Sequence, residues 1–398
     1  MVQLKKKMTT LSTMEFILVI IIGILIGVGL TLVSLRPTLK MARYYLSENG
    51  SLKIDTNVQT MLDVYNDIVN NYYKEVDASE ITSGGIRGML DAVGDTYTTY
   101  MDTTEYDSFN VTLNGGYEGI GVEITNSDNK IIIVGIFADS PAVEAGLELG
   151  DIIVSIDDKL GSDITSNDFS TYVRNNTKKT FDLVIERNGE RIEKTITKRP
   201  IVLKSVASKL IEEDGKKIGY IYMTIFATNT YSQFKKELQS LESQGIDSLI
   251  LDLRNNSGGE LNTATNIINL FVGKNKIIYQ TEERNGNRDI TYASGKEDKT
   301  YPIVILTNKN TASASEILTA ALKDDLGAIS IGENTYGKGT VQTMLKTKTG
   351  DQYKITTRKW LTPNGNWINE EGIKPDIEVK LSGDTDNQLE EAKKYLKK

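Results

Sequence analysis

The sequence predicts a multidomain α/β protein: an N-terminal transmembrane helix, a helical segment, a small β-sandwich-like domain and a larger α/β domain. Three observations predict it. Phe16 to Leu35 runs for about twenty residues without a charge, enough to span a bilayer. Gly115 to roughly Pro200 reads as short alternating runs separated by turns: GVEIT, KIIIVGIF, DIIVSIDD and FDLVIERNGERIEKTIT. Beyond Pro200, apolar strands alternate with amphipathic helices.

The N-terminal residues 1–15 are basic, with Lys5, Lys6 and Lys7 together, and are assigned to the cytoplasm. No A-x-A-like cleavage site follows the apolar span 16–35. Arg36, Lys40 and Arg43 come instead, which favours an uncleaved anchor over a signal peptide. Basic residues flank the span almost evenly. A single leading span still predicts the N-terminus inside and the remaining chain outside the cytoplasm. Gly23 and Gly27 form a small-xxx-small pair, a weak signal for packing between anchors.

Residues 36–110 read as an N-terminal helical region. Val58, Met61, Leu62, Tyr65, Ile68, Val69 and Tyr72 recur at helical spacing and predict an amphipathic helix with a core face. The following stretch, GGIRGMLDAVGDTYTTYMDTTEY, carries no evident chemistry; packing or homodimerisation is its expected role.

The chain of 398 residues has 46 basic and 54 acidic residues, a net charge of -8, which argues against nucleic acid as a partner. It contains no histidine and no cysteine. A Ser-His-Asp triad, a cysteine nucleophile and a Cys/His zinc site are therefore excluded, and a Ser-Lys pair or a carboxylate base remains.

The stretch Tyr301 to Gln342 organises the larger domain. Ile303 to Leu306 is a short β-branched run, expected as a strand buried on both faces. After the polar loop Asn308 to Thr311, apolar residues at Ala314, Ile317, Leu318, Ala321 and Leu322 predict a helix from near Ala312 or Ser313. Ser313 then sits at a strand-to-helix turn beside N–H groups that the first helical turn leaves unpaired. Ser313 and Glu316 also spell a capping box, which needs no chemistry. Lys338 lies between Gly337 and Gly339 and is the candidate base. Gly332 to Lys338 matches most of a P-loop, but Gly339 stands where a Ser or Thr is required, and the alternating TVQTMLKTKT continues as a strand. On such a strand Lys338, Thr340 and Gln342 share a face, and a Gln342 hydrogen bond to the lysine is expected. Upstream, the strand Ser248 to Leu253 leads into Arg254-Asn255-Asn256-Ser257-Gly258-Gly259 and a helix from about Asn262, which puts two unhindered amides at the carboxyl end of a sheet.

The pairing of TASASEI (Thr311 to Ile317) with TYGKGTVQ (Thr335 to Gln342) resembles the C-terminal processing peptidases, the tail-specific serine proteases. The resemblance implies a crotonase- or ClpP-like α/β peptidase domain with Ser313 as nucleophile, Lys338 as general base and Gln342 in support. Ser315 falls where the family has no nucleophile. The resemblance also implies an oxyanion hole from Ala314 and from Gly258 or Gly259. Ser257 departs from the commoner N-P-G-G of that turn. The segment IFADSPAVEAGLELGDIIVSIDDK resembles a PDZ domain, with Gly119, Ile120, Gly121 and Val122 matching its carboxylate-binding loop, where consecutive N–H groups receive a terminal carboxylate and the peptide adds as a strand. LTPNGNWINEEGIKPDIEV matches the end of the peptidase domain.

The expected domains are thus a PDZ domain over 111–200, a peptidase domain over 201–380 and a charged helical tail over 381–398, with Arg284 to Lys299 an exposed loop. The expected activity is that of a membrane-anchored serine endopeptidase outside the cytoplasm, acting on protein or peptide substrates with a free C-terminus and using no metal or cofactor. A catalytically inactive membrane-tethered PDZ scaffold is the alternative. A crotonase-like acyl-CoA enzyme would need neither the PDZ segment nor an external location.

Overall fold

The computed structural model describes residues 55–383 and 385–397. The basic N-terminus and the apolar span expected at 16–35 lie outside the described residues. Among the described residues, no helix is long and apolar enough to cross a membrane. The chain divides into two compact units at Ile86 and Arg87.

In the first unit, helix α1 (Thr56–Asn71) starts on Asp55, whose carboxylate accepts the Asn57 N–H at 2.9 Å. Its apolar stripe forms as the spacing predicts, but the expected core face is not buried. Val58, Met61 and Leu62 stay more than 40% exposed (45%, 46% and 42%). Periodicity specifies a stripe; it does not specify what covers it. Helix α2 (Ala78–Asp91) contains the boundary.

In the second unit, strand β1 (Thr99–Met101) and helix α3 (Thr103–Asn114) follow the end of α2. Asp102 and Glu105 close a reciprocal capping box on α3, and Gly115, at φ 68°, ends it. Next come β2 (Gly116–Gly119), β3 (Val122–Ser127), β4 (Lys130–Ile136), α4 (Pro141–Glu144), β5 (Ile152–Ile156) and β6 (Lys159–Leu160). Helix α5 (Ser166–Asn175), β7 (Thr180–Arg187), β8 (Glu190–Thr197) and β9 (Arg199–Val202) complete the small domain. The antiparallel sheet runs β3-β4-β5-β7-β8, so β3 is an edge strand. Alternation turns Ile131, Ile133, Ile153, Phe181 and Ile185 inward onto Phe169 and Val173 of α5. The β7–β8 hairpin turns at Asn188 and Gly189, both at positive φ (54° and 84°), the requirement of a tight two-residue turn.

The larger domain opens with the hairpin β10 (Val206–Glu213) and β11 (Lys216–Met223), then α6 (Thr230–Ser243), β12 (Ser248–Asp252) and α7 (Leu261–Ile268). It continues with β13 (Ile277–Glu283), β14 (Arg288–Tyr292), β15 (Ile303–Thr307), α8 (Ala314–Leu326) and β16 (Ile329–Gly332). Strands β17 (Thr340–Lys346), β18 (Gln352–Leu361) and β19 (Ile377–Glu378) and helix α9 (Asn387–Leu396) end it. The main sheet has the order β10-β11-β12-β15-β16-β19 and is parallel from β11 onward. Every residue of β12 and β15 is buried, as their continuous apolar runs require. Phe234 and Leu238 of α6, Ile267 of α7 and Leu318 of α8 cover one face. Ala392 of α9 packs among Ile250, Val304 and Ile331 on the other. The charged tail is therefore a docked element of this domain. Arg254 fastens it, reaching Asp252 at the end of β12 (2.5 Å) and Asp386 at the start of α9 (2.7 Å).

In the second sheet, β18 pairs with β1, β13 and β17. The segment 284–299, expected as a loop, contains β14, paired with β13. Its residues are mostly exposed, so no apolar alternation marked it as a strand.

Candidate active site

The loops after β12 and β15 meet at the carboxyl end of the parallel sheet. Thr311 donates its hydroxyl to Leu253 O at 2.9 Å, and Ala312 N–H donates to Asn256 O at 3.0 Å, so the two loops are stitched together just before Ser313. Ser313 is half-buried and adopts φ 55°, ψ -117°. A residue with a side chain held there costs on the order of 1–3 kcal/mol, a strain found where a turn must present a group. Helix α8 starts at the next residue. The capping-box arrangement of Ser313 and Glu316 is present, but the Glu316 N–H makes its hydrogen bond to the Ser313 carbonyl at 2.8 Å, and no hydrogen bond is formed to Oγ among the described residues. The neighbouring Ser315 is buried, and its hydroxyl is spent on Asn256 O at 2.9 Å.

Sequence reasoning reads Glu316 only as a cap partner. Its buried carboxylate does more: it accepts from Ser313 N (2.7 Å), Thr335 Oγ1 (2.6 Å), Gly337 N (2.7 Å) and Lys338 N (2.9 Å). One side chain thus fixes the backbones of both Ser313 and Lys338. Burial pushes its carboxyl above the usual range, and the four donors pull the other way.

Lys338 sits in the turn before β17, in a backbone clamped from the other side by Trp360 Nε1, which donates to Lys338 O at 2.7 Å. Both flanking glycines are required by the close approach of 369–372. A Cβ on Gly337 would lie 2.8 Å from Gly372 N, and one on Gly339 would lie 2.7 Å from Asn369 N. Burial lowers the Lys338 pKa, the charge of Lys354 adds to the effect, and Asp95 and Glu316 oppose it. Its Nζ lies 4.3 Å from the ring centroid of Tyr97. No hydrogen bond joins Nζ to Ser313 Oγ among the described residues.

Gln342 does not make the expected bond to Lys338. Its Nε2 donates to Thr340 Oγ1 and Thr356 Oγ1, each at 3.0 Å. The expectation fails because β17 begins only at Thr340, so Lys338 is outside the strand's two-residue period.

For the turn after β12, the structure separates the two glycines. The Gly258 N–H donates to Asn256 Oδ1 at 3.0 Å, so its expected place among the oxyanion donors is corrected: that amide is spent. The amides of Gly259 and Ala314 have no acceptor among the described residues. Gly258 serves by size, since a Cβ there would lie 2.9 Å from Ala314 N. Ser313, Lys338, Gln342, Gly259 and Ala314 all line one cavity of about 880 Å³, whose apolar wall includes Phe109, Leu113, Ile225, Leu261, Ile317 and Met344. Tyr97 and Lys354 line it too. The segment containing Tyr97, expected to carry no chemistry, therefore contributes to the cleft, and no local pattern marked it.

A second, smaller groove of about 100 Å³ lies between β3 and α5, lined by Gly119, Ile120, Gly121 and Val122 and by Phe169 and Val173. The Ile120 and Gly121 carbonyls accept from Ala142 N and Phe137 N, and the amides of these two residues have no acceptor among the described residues. Gly121 is at φ 82°, and a Cβ there would fall 2.3 Å from the Ser140 Cβ. The free edge of β3 runs beside this loop.

Comparison with known proteins gives three family matches: peptidase family S41 over 217–379, the activating protease CtpB N-terminal domain over 32–105 and the PDZ domain over 119–197. The carboxy-terminal processing protease CtpA of Bacillus subtilis is 34% identical over 369 residues, covering 88% of this chain and 78% of the relative. The carboxy-terminal processing protease CtpB of the same organism is 37% identical over 318 residues, covering 79% and 66%. A crystal structure of a Bacteroides fragilis protein assigned to the S41 proteases superposes with a TM-score of 0.50 at 18% identity, over 87% of this chain and 98% of that one, a likeness of fold.

Proposed function

The chain belongs to the carboxy-terminal processing serine peptidases of family S41, and from that premise we propose a membrane-anchored endopeptidase in which Ser313 is the nucleophile and Lys338 the general base. The observation that carries the assignment is the shared anchorage. A strained serine with a free hydroxyl and a lysine with a lowered pKa line one cavity, and the carboxylate of Glu316 holds both backbones.

In the first step, neutral Lys338 turns from the face of Tyr97 to Ser313 and takes the Oγ proton as Oγ attacks the peptide carbonyl. The oxyanion is received by the Gly259 and Ala314 amides, which need not leave any other partner. The proton returns from the Lys338 ammonium to the departing amine as the C–N bond breaks. A water then gives a proton to Lys338 and its oxygen to the acyl carbon, and Ser313 Oγ leaves with the proton. Gln342, held by Thr340 and Thr356, supports the floor of the site rather than the lysine directly.

The PDZ domain takes the substrate's free C-terminus, with the carboxylate on the Ile120 and Gly121 amides and the peptide added to the edge of β3. The uncharged span 16–35 anchors the enzyme, with its catalytic part outside the cytoplasm. The exposed stripe of Val58, Met61 and Leu62 supports pairing with a second copy, which sedimentation would test. The proposal is tested by incubating the full chain with a loosely folded protein: wild type should fragment it and Ser313→Ala should not. Equal cleavage by both would remove Ser313 from the chemistry.

A further inference from the structure

A second lysine stands in the same cleft. Lys354 is on β18, where the cross-strand pairs Gln342–Thr356 and Met344–Lys354 follow each other on one face of the β17–β18 ladder. Lys354 therefore leaves the sheet on the same side as Gln342, about 7 Å further along. It is half-buried, its Nζ lies 5.3 Å from the ring centroid of Phe109, and it lines the cavity that holds Ser313. Its ammonium makes no ion pair or hydrogen bond among the described residues.

The carboxylates beside the two lysines are already committed. Asp95 accepts from Tyr97 N (3.1 Å), from Thr98 Oγ1 (2.6 Å) and from the Thr356 hydroxyl. Glu316 is filled by four donors. A desolvated ammonium with no anion of its own is an unfinished ion pair. Burial accordingly holds the Lys354 pKa below its ordinary value, opposed only by the field of Asp95, and an arriving carboxylate would reverse that shift.

We propose that Lys354 is a subsite for a substrate carboxylate, placed so that the enzyme favours peptides carrying a carboxylate about two residues along from the group that faces Gln342. This deepens, and rests on, the reading of the cleft as the Ser313 peptidase site. The Phe109 and Met344 side chains beside Lys354 supply apolar walls, so the favoured segment is apolar with one acid. The carboxylate can come from an Asp or Glu side chain or from the chain terminus.

The test uses the full chain with Lys354→Met and Lys354→Glu. The peptides share one apolar sequence and carry an Asp moved one residue at a time with an amidated end, a free carboxyl end, or Asn with an amidated end. The wild type should prefer its best carboxylate peptide to the neutral one by about tenfold to a hundredfold in kcat/KM, mostly through KM. Lys354→Met should bring that ratio near one for the amidated Asp peptides and lower it for the free-ended one, and Lys354→Glu should push the Asp ratio below one. Comparing ratios within each enzyme cancels any effect on Lys338, and the share of the PDZ groove in the free-end peptide is common to all variants. Preference for the Asp peptide assigns a side-chain source, and a preference for the free end that falls in Lys354→Met assigns the terminus. An unchanged ratio in Lys354→Met, or a wild-type ratio near one, overturns the subsite. The affinity of the same peptides for Ser313→Ala separates the two readings. A Lys354-dependent preference in binding without cleavage by wild type means the serine assignment has failed. Cleavage without preference means the subsite has failed.

Discussion

Gly259→Ala isolates the oxyanion turn, and its cost can be worked from two geometries. Gly259 has φ 138°, and a Cβ there would lie 2.3 Å from Phe226 O, 2.8 Å from Phe226 C and 3.1 Å from Phe226 N. Those are backbone atoms and cannot rotate aside. The control is Gly215→Ala in the β10–β11 hairpin, at φ 74° with nothing within 4 Å. Gly215→Ala bears only the left-handed backbone penalty, about 1–2 kcal/mol. Gly259→Ala adds overpacking of about 1–3 kcal/mol, a total of about 2–5 kcal/mol. The backbone shift that relieves the clash must also move the Gly259 N–H, so kcat should fall by roughly a hundredfold to a thousandfold, as for loss of one oxyanion donor. Gly215→Ala should keep wild-type kcat. Urea unfolding of both variants, with kcat measured where each is fully folded, checks the two halves separately. If Gly259→Ala matched Gly215→Ala in midpoint and kcat, neither the close packing on Phe226 nor the donor role would stand.

Burial lowers the Lys338 pKa, so between the folded value and the ordinary 10.5 the unfolded chain binds more protons, and stability rises with pH across that window. Lys338→Met should be inactive and at least as stable as wild type below the window, with its advantage gone once pH passes 10.5; a pH series of melting temperatures reads this directly. Arg254→Met leaves Asp252, which is 2% exposed, without its guanidinium, and should cost about 3–5 kcal/mol in urea unfolding; a loss under 1 kcal/mol would refute the clamp between β12 and α9. Gly121→Ala drives a Cβ into Ser140 and should abolish binding of a free-ended peptide in titration calorimetry, as should amidating the peptide in wild type.

Much of this architecture is legible in the sequence because local chemistry and global fold agree there. The run Ile303–Leu306 is apolar throughout since both faces of β15 are covered, and Ser313, beyond the polar loop, stands where α8 starts. Gly337 and Gly339 mark the lysine because the chain at 369–372 comes too close for any side chain. Much of what stays illegible depends on contacts between distant segments. Tyr97 reaches the cleft only through the folding of the first strand of the second unit onto β18. The loss of the Gly258 amide to Asn256 is a side-chain hydrogen bond inside one turn, and Gly258 and Gly259 look equivalent in sequence. The four bonds of Glu316 are hidden because S-x-x-E already has a sufficient explanation as a cap. The stripe on α1 is legible as a stripe, while its exposure is not.

The central claim is that Ser313 is a nucleophile made competent by Lys338. The most direct measurement is intact-protein and peptide mass spectrometry after treatment with a fluorophosphonate, whose phosphorus is attacked by an activated serine oxygen with departure of fluoride, leaving a stable phosphonyl adduct. Wild type should gain a single adduct on the peptide containing Ser313. Ser313→Ala should gain none, and Lys338→Met should label at a negligible rate although its serine is intact. An adduct on Ser315 or elsewhere, or labelling of Lys338→Met at the wild-type rate, would contradict the account.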